Sequence, residues 1–303
     1  MFFNCFKLFN MNIHKYNYTH RINIKYITQL NGMDKQVNRN YKSTDMLTNI
    51  DNQDNDKQCF NNMKVLETKY QVSDYINRNF INVNDATRMV LVDHLMAIGD
   101  AFKLTPDTLF LSVNYLDRIL STNFVKSTEF QLYSIVCLLI ASKYEETEMP
   151  SIRAFADMVN YDNMNIRSVM GLVRSTEINI LHMLTFDTNP PTSYWFLQYY
   201  LGQLQGVLFL NEFIEVSTTS NYLCEMCLLN YEITYKYVPS IIAAASLYCG
   251  FLSNKIQWRS VYNNISGYKI RKIKSCIDEM MHTKKNIHHF NNSHFIKKYN
   301  KSL

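Results

Sequence analysis

An all-α architecture of two tandem five-helix bundles, preceded by a disordered N-terminal extension, is the fold class this sequence predicts. Three observations carry it. From about residue 61 onward apolar residues recur at helical spacing, and no convincing run of alternating apolar and polar side chains interrupts them. The adjacent Pro190 and Pro191, after Asn189, forbid helix continuation and divide the helical stretch in two. The 303 residues have room for about two ordinary domains. The halves hold similar numbers of helical segments, an internal structural repeat without strong sequence identity. The expected division is an extension over 1–60, a first bundle over 61–189, a second over 190–293 and a tail over 294–303.

Residues 1–60 are rich in Asn, Lys, Tyr and Asp and show no sustained period, which reads as a disordered extension. Beyond it, Val90, Leu91, Leu95, Ile98 and Phe102 line one amphipathic helix with Asp85 as its N-cap. Thr105-Pro106-Asp107 then supplies a cap, a first-turn proline and a first-turn acid. The helix it opens turns Leu109, Val113, Leu116 and Leu120 inward. Thr128 with Gln131 forms a capping box before a helix whose apolar residues, Leu132, Val136, Leu139 and Ile140 among them, crowd several faces. Such a helix is the surrounded, central one of a bundle. Pro150 starts a short helix through Phe155, and a longer one runs from Ile166 to Leu184. In the second half, helices are predicted from Ser193, over Glu212–Tyr231 and from Pro239 through Leu247, followed by shorter segments at Lys255–Asn263 and Ile270–Met281. The polar, basic end of the chain is expected to form a loose tail.

Apolar residues make up 47% of the chain and charged ones 19%, enough to build packed interiors. The net charge of +5 comes from 31 basic and 26 acidic residues that are dispersed, with only short pairs such as Lys284-Lys285 and Lys297-Lys298, so nucleic acid is not an expected partner. Seven scattered cysteines, several within apolar helical runs, fit a reduced intracellular compartment. Cys224 and Cys227 form a C-x-x-C pair, but no second pair or histidine element completes a metal site, and buried thiols are the better reading. No uninterrupted apolar stretch of about eighteen residues is present, so no membrane span is expected. The apolar start, Met1 to Asn10, lacks a basic n-region and a small-residue cleavage site, and secretion is not expected.

No catalytic arrangement is visible. With only seven glycines the chain has no Gly-rich phosphate loop, and it lacks H-E-x-x-H and G-x-S-x-G. The one dense acidic cluster, Glu145-Glu146-Thr147-Glu148, has no companion Glu-x-x-His and reads as a solvated helix end. No cofactor is implied. What stands out is charge within apolar helices: Arg88 and Asp117 must be paired, and one solution is with each other across the first two helices. Lys143 ends the most apolar helix and Glu177 sits within the long fifth one. Periodicity alone leaves open that these four are ordinary helix-surface ions.

These residues fall in segments that together resemble the cyclin box: RMVLVDHL (88–95), FKLTPDTLFLSVNYLDRILS (102–121), LLIASKYEE (138–146) and the stretch around Glu177 ending in LTFDTNPPT (184–192). FLQYYL (196–201), YVPSIIAAASLY (237–248) and SGYKI (266–270) are similar to the second cyclin fold, so the resemblance covers about 75–293. It implies a non-catalytic subunit that binds and activates a cyclin-dependent protein kinase in cell-cycle control, in the nucleus and/or cytoplasm. Carried over position by position, Arg88, Asp117, Leu132, Lys143 and Glu177 match the family's signature set. The resemblance implies that Arg88 and Asp117 form a buried ion pair that fixes the box, with Leu132 in the core. It implies that Lys143, Glu177 and the neighbouring Tyr144 face the kinase, and that Leu181 and Phe186 pack against its mobile regulatory helix.

Two departures matter. Many cell-cycle cyclins recruit substrates through a groove whose first helix offers Met and Trp; here Thr87 and His94 stand there, while Val90, Leu91 and Gln131 remain. Exchanging indole for imidazole removes apolar area, so substrate docking is expected to be weakened or re-specified. Lys143 and Glu177 are also 34 residues apart, a few more than the family usually has, which places an extra loop at about 157–166. The alternative reading is a transcription-type cyclin or a tandem cyclin-fold scaffold contacting transcription machinery or nucleic acid. It requires a basic groove and salt-sensitive binding.

Overall fold

The structure is a computed structural model, and it describes residues 56–76, 83–122, 125–159, 164–287 and 293–300. The extension over 1–55 lies outside the described residues. Among those described, every regular element is helical and two bundles follow one another.

Helix α1 covers 56–66, so helical structure begins five residues before the expected boundary. The reason is Phe60, which is buried against Phe196, Tyr199 and Tyr200, with ring centroids 5.8, 4.5 and 5.9 Å away. Those partners lie in the other half of the chain and leave no local period. A 3₁₀ turn, Glu67–Tyr70, and an extended stretch over 71–75 then form a strap ending near the buried Tyr75.

The first bundle comprises α2 (Asp85–Phe102), α3 (Pro106–Thr122), α4 (Phe130–Glu145), α5 (Ile152–Asp157) and α6 (Ile166–Met183). The cap of α2 is Asn84 rather than Asp85: its Oδ1 accepts from Thr87 N at 2.8 Å and from the Thr87 hydroxyl at 2.9 Å. Asp85 moves into the first turn, where a negative charge suits the helix dipole. Helix α3 starts at Pro106, but Glu146 completes its cap. The Glu146 Oε1 accepts from Thr105 N at 2.6 Å, from the Thr105 hydroxyl at 2.8 Å and from the Thr108 hydroxyl at 2.6 Å. That residue is therefore no solvated helix end. The expected Thr128–Gln131 capping box does not form, because a 3₁₀ turn, Ser127–Glu129, leads into α4 and Gln131 instead reaches Met158 O at 3.5 Å.

Helix α4 is central and packs on α2, α3, α5 and α6. Helix α5 begins under Ser151, whose hydroxyl accepts from Ala154 N, one residue after Pro150. The connection to α6, where an extra loop is expected, includes 160–163, outside the described residues.

The second bundle comprises α7 (Ser193–Gly202), α8 (Leu210–Leu229), α9 (Tyr231–Lys236), α10 (Pro239–Ser253), α11 (Asn263–Ser266) and α12 (Ile270–Asn286). Helix α10 is its central member, against α7, α8 and α12. The helix expected through Tyr231 breaks at Asn230, whose side chain leaves α8 to cap α9 by accepting from Ile233 N at 3.2 Å. The segment expected at Lys255–Asn263 is mostly not helical. Lys255 closes α10 in the left-handed region (φ 57°), and helix resumes only at Asn263 after a 3₁₀ turn, Ser260–Tyr262.

The loose tail is also corrected: α13 (His294–Asn300) docks on α2, with Phe295 wholly buried. Asp93 caps this helix, accepting from His294 N at 2.8 Å and Phe295 N at 3.0 Å, while Lys298 and Tyr299 donate to Glu225 at 2.7 and 2.8 Å. Composition shows the surface of such a helix, not its single buried aromatic.

Candidate functional site

Packing of α4 against α6 brings the last turn of one beside the fourth turn of the other, and Lys143 Nζ lies 2.5 Å from Glu177 Oε1. Their side chains keep 35% and 15% of their exposure, so the pair sits at a rim rather than in the core. One hydrogen bond leaves donors on the ammonium and acceptors on the carboxylate for another molecule. Tyr144 follows Lys143 half-buried, and burial first, then Glu145 and Tyr70, pushes its phenol up to about 12.

Leu181 lies four residues after Glu177, hence on the same helix face. Helix α6 then ends in a Schellman turn: Phe186 N donates to Leu181 O at 2.8 Å and Thr185 N to His182 O at 2.9 Å. Both Thr185 (φ 54°) and Phe186 (φ 57°) are left-handed, a conformation costly without glycine. This turn brings Phe186 back towards Leu181 and leaves it 53% exposed. Ile178, 57% exposed beside Glu177, belongs to the same helix and was missed from sequence. Exposed apolar positions on a helix carry no mark until burial is known.

Arg88 and Asp117 pair with each other. Arg88 Nε donates to Asp117 Oδ1 and its Nη2 to Oδ2, each at 2.7 Å, and Arg88 is completely buried. The third direction of the fork is used as well, with Nη1 donating to Leu228 O at 2.8 Å in the second bundle. Tyr75 adds a hydroxyl to Asp117 Oδ1 at 2.9 Å. Leu132 is buried in the core of α4.

Of the groove positions, Val90, Leu91, His94 and Gln131 line one depression, together with Asp93, Ala97, His294 and Lys297. Thr87 is not in it, since its hydroxyl is turned to Asn84 at the start of α2. His294 and Lys297 were missed because they lie on α13. Burial lowers the His94 pKa, against the pull of Asp93 in the other direction.

Cys224 and Cys227 are buried free thiols, and burial pushes the Cys224 thiol up to about 12. Among the described residues no group of three or more His, Cys, Asp or Glu could hold a metal ion, and no helix is long and apolar enough to cross a membrane.

The family model described as cyclin, N-terminal domain, matches residues 58–189, and the cyclin, C-terminal domain, matches 191–303. Similar relatives include a G2/mitotic-specific cyclin-A of Hydra viridissima, 33% identical over 221 residues, which are 73% of this chain and 50% of that protein. Cyclin-A1 of Xenopus laevis is 34% identical over 220 residues, 72% of this chain and 50% of its own length. The chain thus spans about half the length of the curated relatives it matches. Among solved structures, a viral cyclin from herpesvirus saimiri aligns with a TM-score of 0.61 at 17% identity, covering 74% of this chain and 95% of that one. A chain of the yeast RNA Pol II CTD kinase CTDK-1 complex aligns with a TM-score of 0.50 at 17% identity, covering 75% and 81%. At these identities the likeness is one of fold.

Proposed function

The chain belongs to the cyclin family, and from that membership we propose that it is a regulatory subunit, without an active site of its own, that binds a cyclin-dependent Ser/Thr kinase and holds it active in cell-cycle control. The observation that carries this reading is the Lys143–Glu177 pair at the rim of an apolar surface formed by Leu181 and the exposed Phe186. A protein kinase is catalytic only when its strand lysine pairs with a glutamate on its mobile helix and its activation loop clears the cleft. A partner that binds only the helix-in arrangement shifts the population by its differential affinity, and inverting a 1:99 ratio takes about 5.5 kcal/mol.

Buried apolar contacts supply most of such an affinity. The charged pair orients the helix, because its spare donors and acceptors meet backbone groups only in one register. The A-type names of the similar relatives support a place in the cell cycle. The unpaired thiols among the described cysteines support action in a reduced compartment, the nucleus and/or cytoplasm.

The test is capture and activation of a cyclin-dependent kinase by wild type and by the Lys143→Ala, Glu177→Ala double variant. Loss of this pair at a buried interface should weaken capture by about 2–5 kcal/mol and reduce kinase activity in parallel. Equal capture and equal activation by the two chains rejects the assignment.

A further inference from the structure

The start of α8 carries more apolar side chains than the bundle uses. Leu208 and Phe213 pack on the core, whereas Val207, Phe209, Leu210 and Ile214 are 58%, 81%, 61% and 45% exposed. Leu210 and Ile214 are four residues apart and share one face of the helix, and Val207 and Phe209 stand just before it. Phe209 holds the N-cap position, where Ser, Thr, Asp or Asn is preferred, and a phenyl ring offers no acceptor there. Glu212 closes the turn instead, its Oε2 accepting from Phe209 N at 3.2 Å. The ring neither caps nor packs, and the exposed side chains together form a patch rather than the scattered single residues of an ordinary surface.

Charge around the patch has one sign. From Ser175 to Tyr235 the chain has no Lys or Arg but six carboxylates, of which Glu212 and Glu215 adjoin the patch. Glu215 is exposed beside Ile214, and no ion pair reaches it among the described residues. Even Lys255, whose neighbour Asn254 donates to Glu215 O at 3.2 Å, does not pair with it. A second copy docked through the same patch would set these carboxylates against their own counterparts. An anionic lipid surface or a nucleic acid would meet negative charge as well. An extended segment would find no strand edge among the described residues to satisfy its backbone, whereas a helix satisfies its own.

We propose that the start of α8 docks an amphipathic helix of another protein, whose apolar stripe covers Phe209, Leu210 and Ile214 and whose Lys or Arg flank pairs with Glu215. The apolar anchors supply the affinity, and the basic flank sets the orientation and rejects helices with acidic flanks. The patch belongs to the second bundle, whereas Lys143 and Glu177 stand on α4 and α6 of the first, so the inference does not depend on the regulatory reading above.

The test uses the full chain and three fluorescein-labelled peptides that share one leucine stripe at helical spacing and differ only in a flank of Lys, Gln or Glu, with binding read by anisotropy at low salt. The lysine peptide should bind about tenfold more tightly than the glutamate one, with the glutamine peptide between them, and added salt should narrow the spread. Phe209→Ser with Ile214→Ser should weaken the lysine peptide by about tenfold or more, and Glu215→Lys should erase the ranking. Both variants should keep the circular dichroism of the wild type, because the replaced side chains are exposed. Equal binding of the three peptides, a ranking indifferent to Glu215→Lys, or undiminished binding by the double serine variant overturns the inference. So does a lysine peptide of scrambled stripe that binds as well as the ordered one. The chain alone should sediment as a monomer. A dimer dispersed by the double serine variant assigns the patch to a second copy, and capture by phosphatidylserine vesicles lost in that variant assigns it to a membrane; either result overturns the proposal.

Discussion

Each guanidinium nitrogen of Arg88 donates a hydrogen bond, two to Asp117 and one to Leu228 O, and the side chain has no access to water. A buried pair of this kind is weak evidence for stability but costly to break, since removal of one partner strands the other charge. Arg88→Met should destabilise the fold by about 3–5 kcal/mol in urea titration, and adding Asp117→Leu should recover part of the loss. A double variant as unstable as the single one would show that lost packing, not the stranded carboxylate, sets the cost. His94 gives a prediction of opposite character. Burial lowers its pKa, so between the folded and unfolded values the unfolded chain holds the extra proton and acid favours unfolding. The stability lost in this way returns as pH rises and is complete above about 6.5, the ordinary imidazole value. His94→Gln should flatten the melting temperature against pH below that point, and an unaltered slope assigns the acid response to other groups.

At the scale of elements, the two central helices show what periodicity can and cannot reveal. That α4 and α10 are surrounded is visible in their apolar residues on every face, FQLYSIVCLLIASKYE and PSIIAAASLYCGFLS. How closely neighbours approach is not. A Cβ at Gly250 would lie 2.1 Å from Ser220 Oγ and 3.0 Å from Val216 O, so a side chain there would force Ser220 or the backbone of α8 to shift. Gly250→Ala should cost about 1–3 kcal/mol by overpacking, read as a lower urea midpoint. Ser220 Oγ is buried without a hydrogen-bond partner among the described residues, so Ser220→Ala should restore part of that stability in the same background. A midpoint that Gly250→Ala leaves unchanged would mean that the helices part without strain.

Helix ends were the least legible feature for a related reason. Three of them close on left-handed residues that are not glycine, Lys103, Thr185 and Lys255, so the usual stop signal is missing from the sequence. The site inherits this: Leu181 and Phe186 matched the cyclin pattern by position, but the turn that places Phe186 depends on two positive φ values that its residue types disfavour.

Across the whole molecule, one strap ties the two bundles together. Glu67 accepts from Ser240 N and its hydroxyl at 2.8 and 2.7 Å, Asp187 accepts from Lys69 and Tyr70 at 2.6 Å each, and Tyr231 donates to Asp74 while its oxygen accepts from Tyr75 N. With Arg88 also reaching Leu228 O, the bundles share one core and should unfold together. Both tryptophans, Trp195 and Trp258, lie in the second bundle, so their fluorescence reports on it alone, whereas far-ultraviolet circular dichroism reports on all helices. The two urea transitions should coincide; a fluorescence transition that runs ahead would mean that the strap does not couple the halves.

By itself the sequence determined the helical class, the break in helix at Pro190-Pro191, the two central helices and membership of the cyclin pattern, because each is written in local spacing or in an ordered run of motifs. Tertiary structure alone decided that Phe60 and Phe295 anchor segments expected to be loose, that Glu146 caps a helix behind it in the chain, and that Lys297 faces the groove of α2. Those facts are contacts between residues far apart in sequence, and a contact of that kind leaves no period behind it.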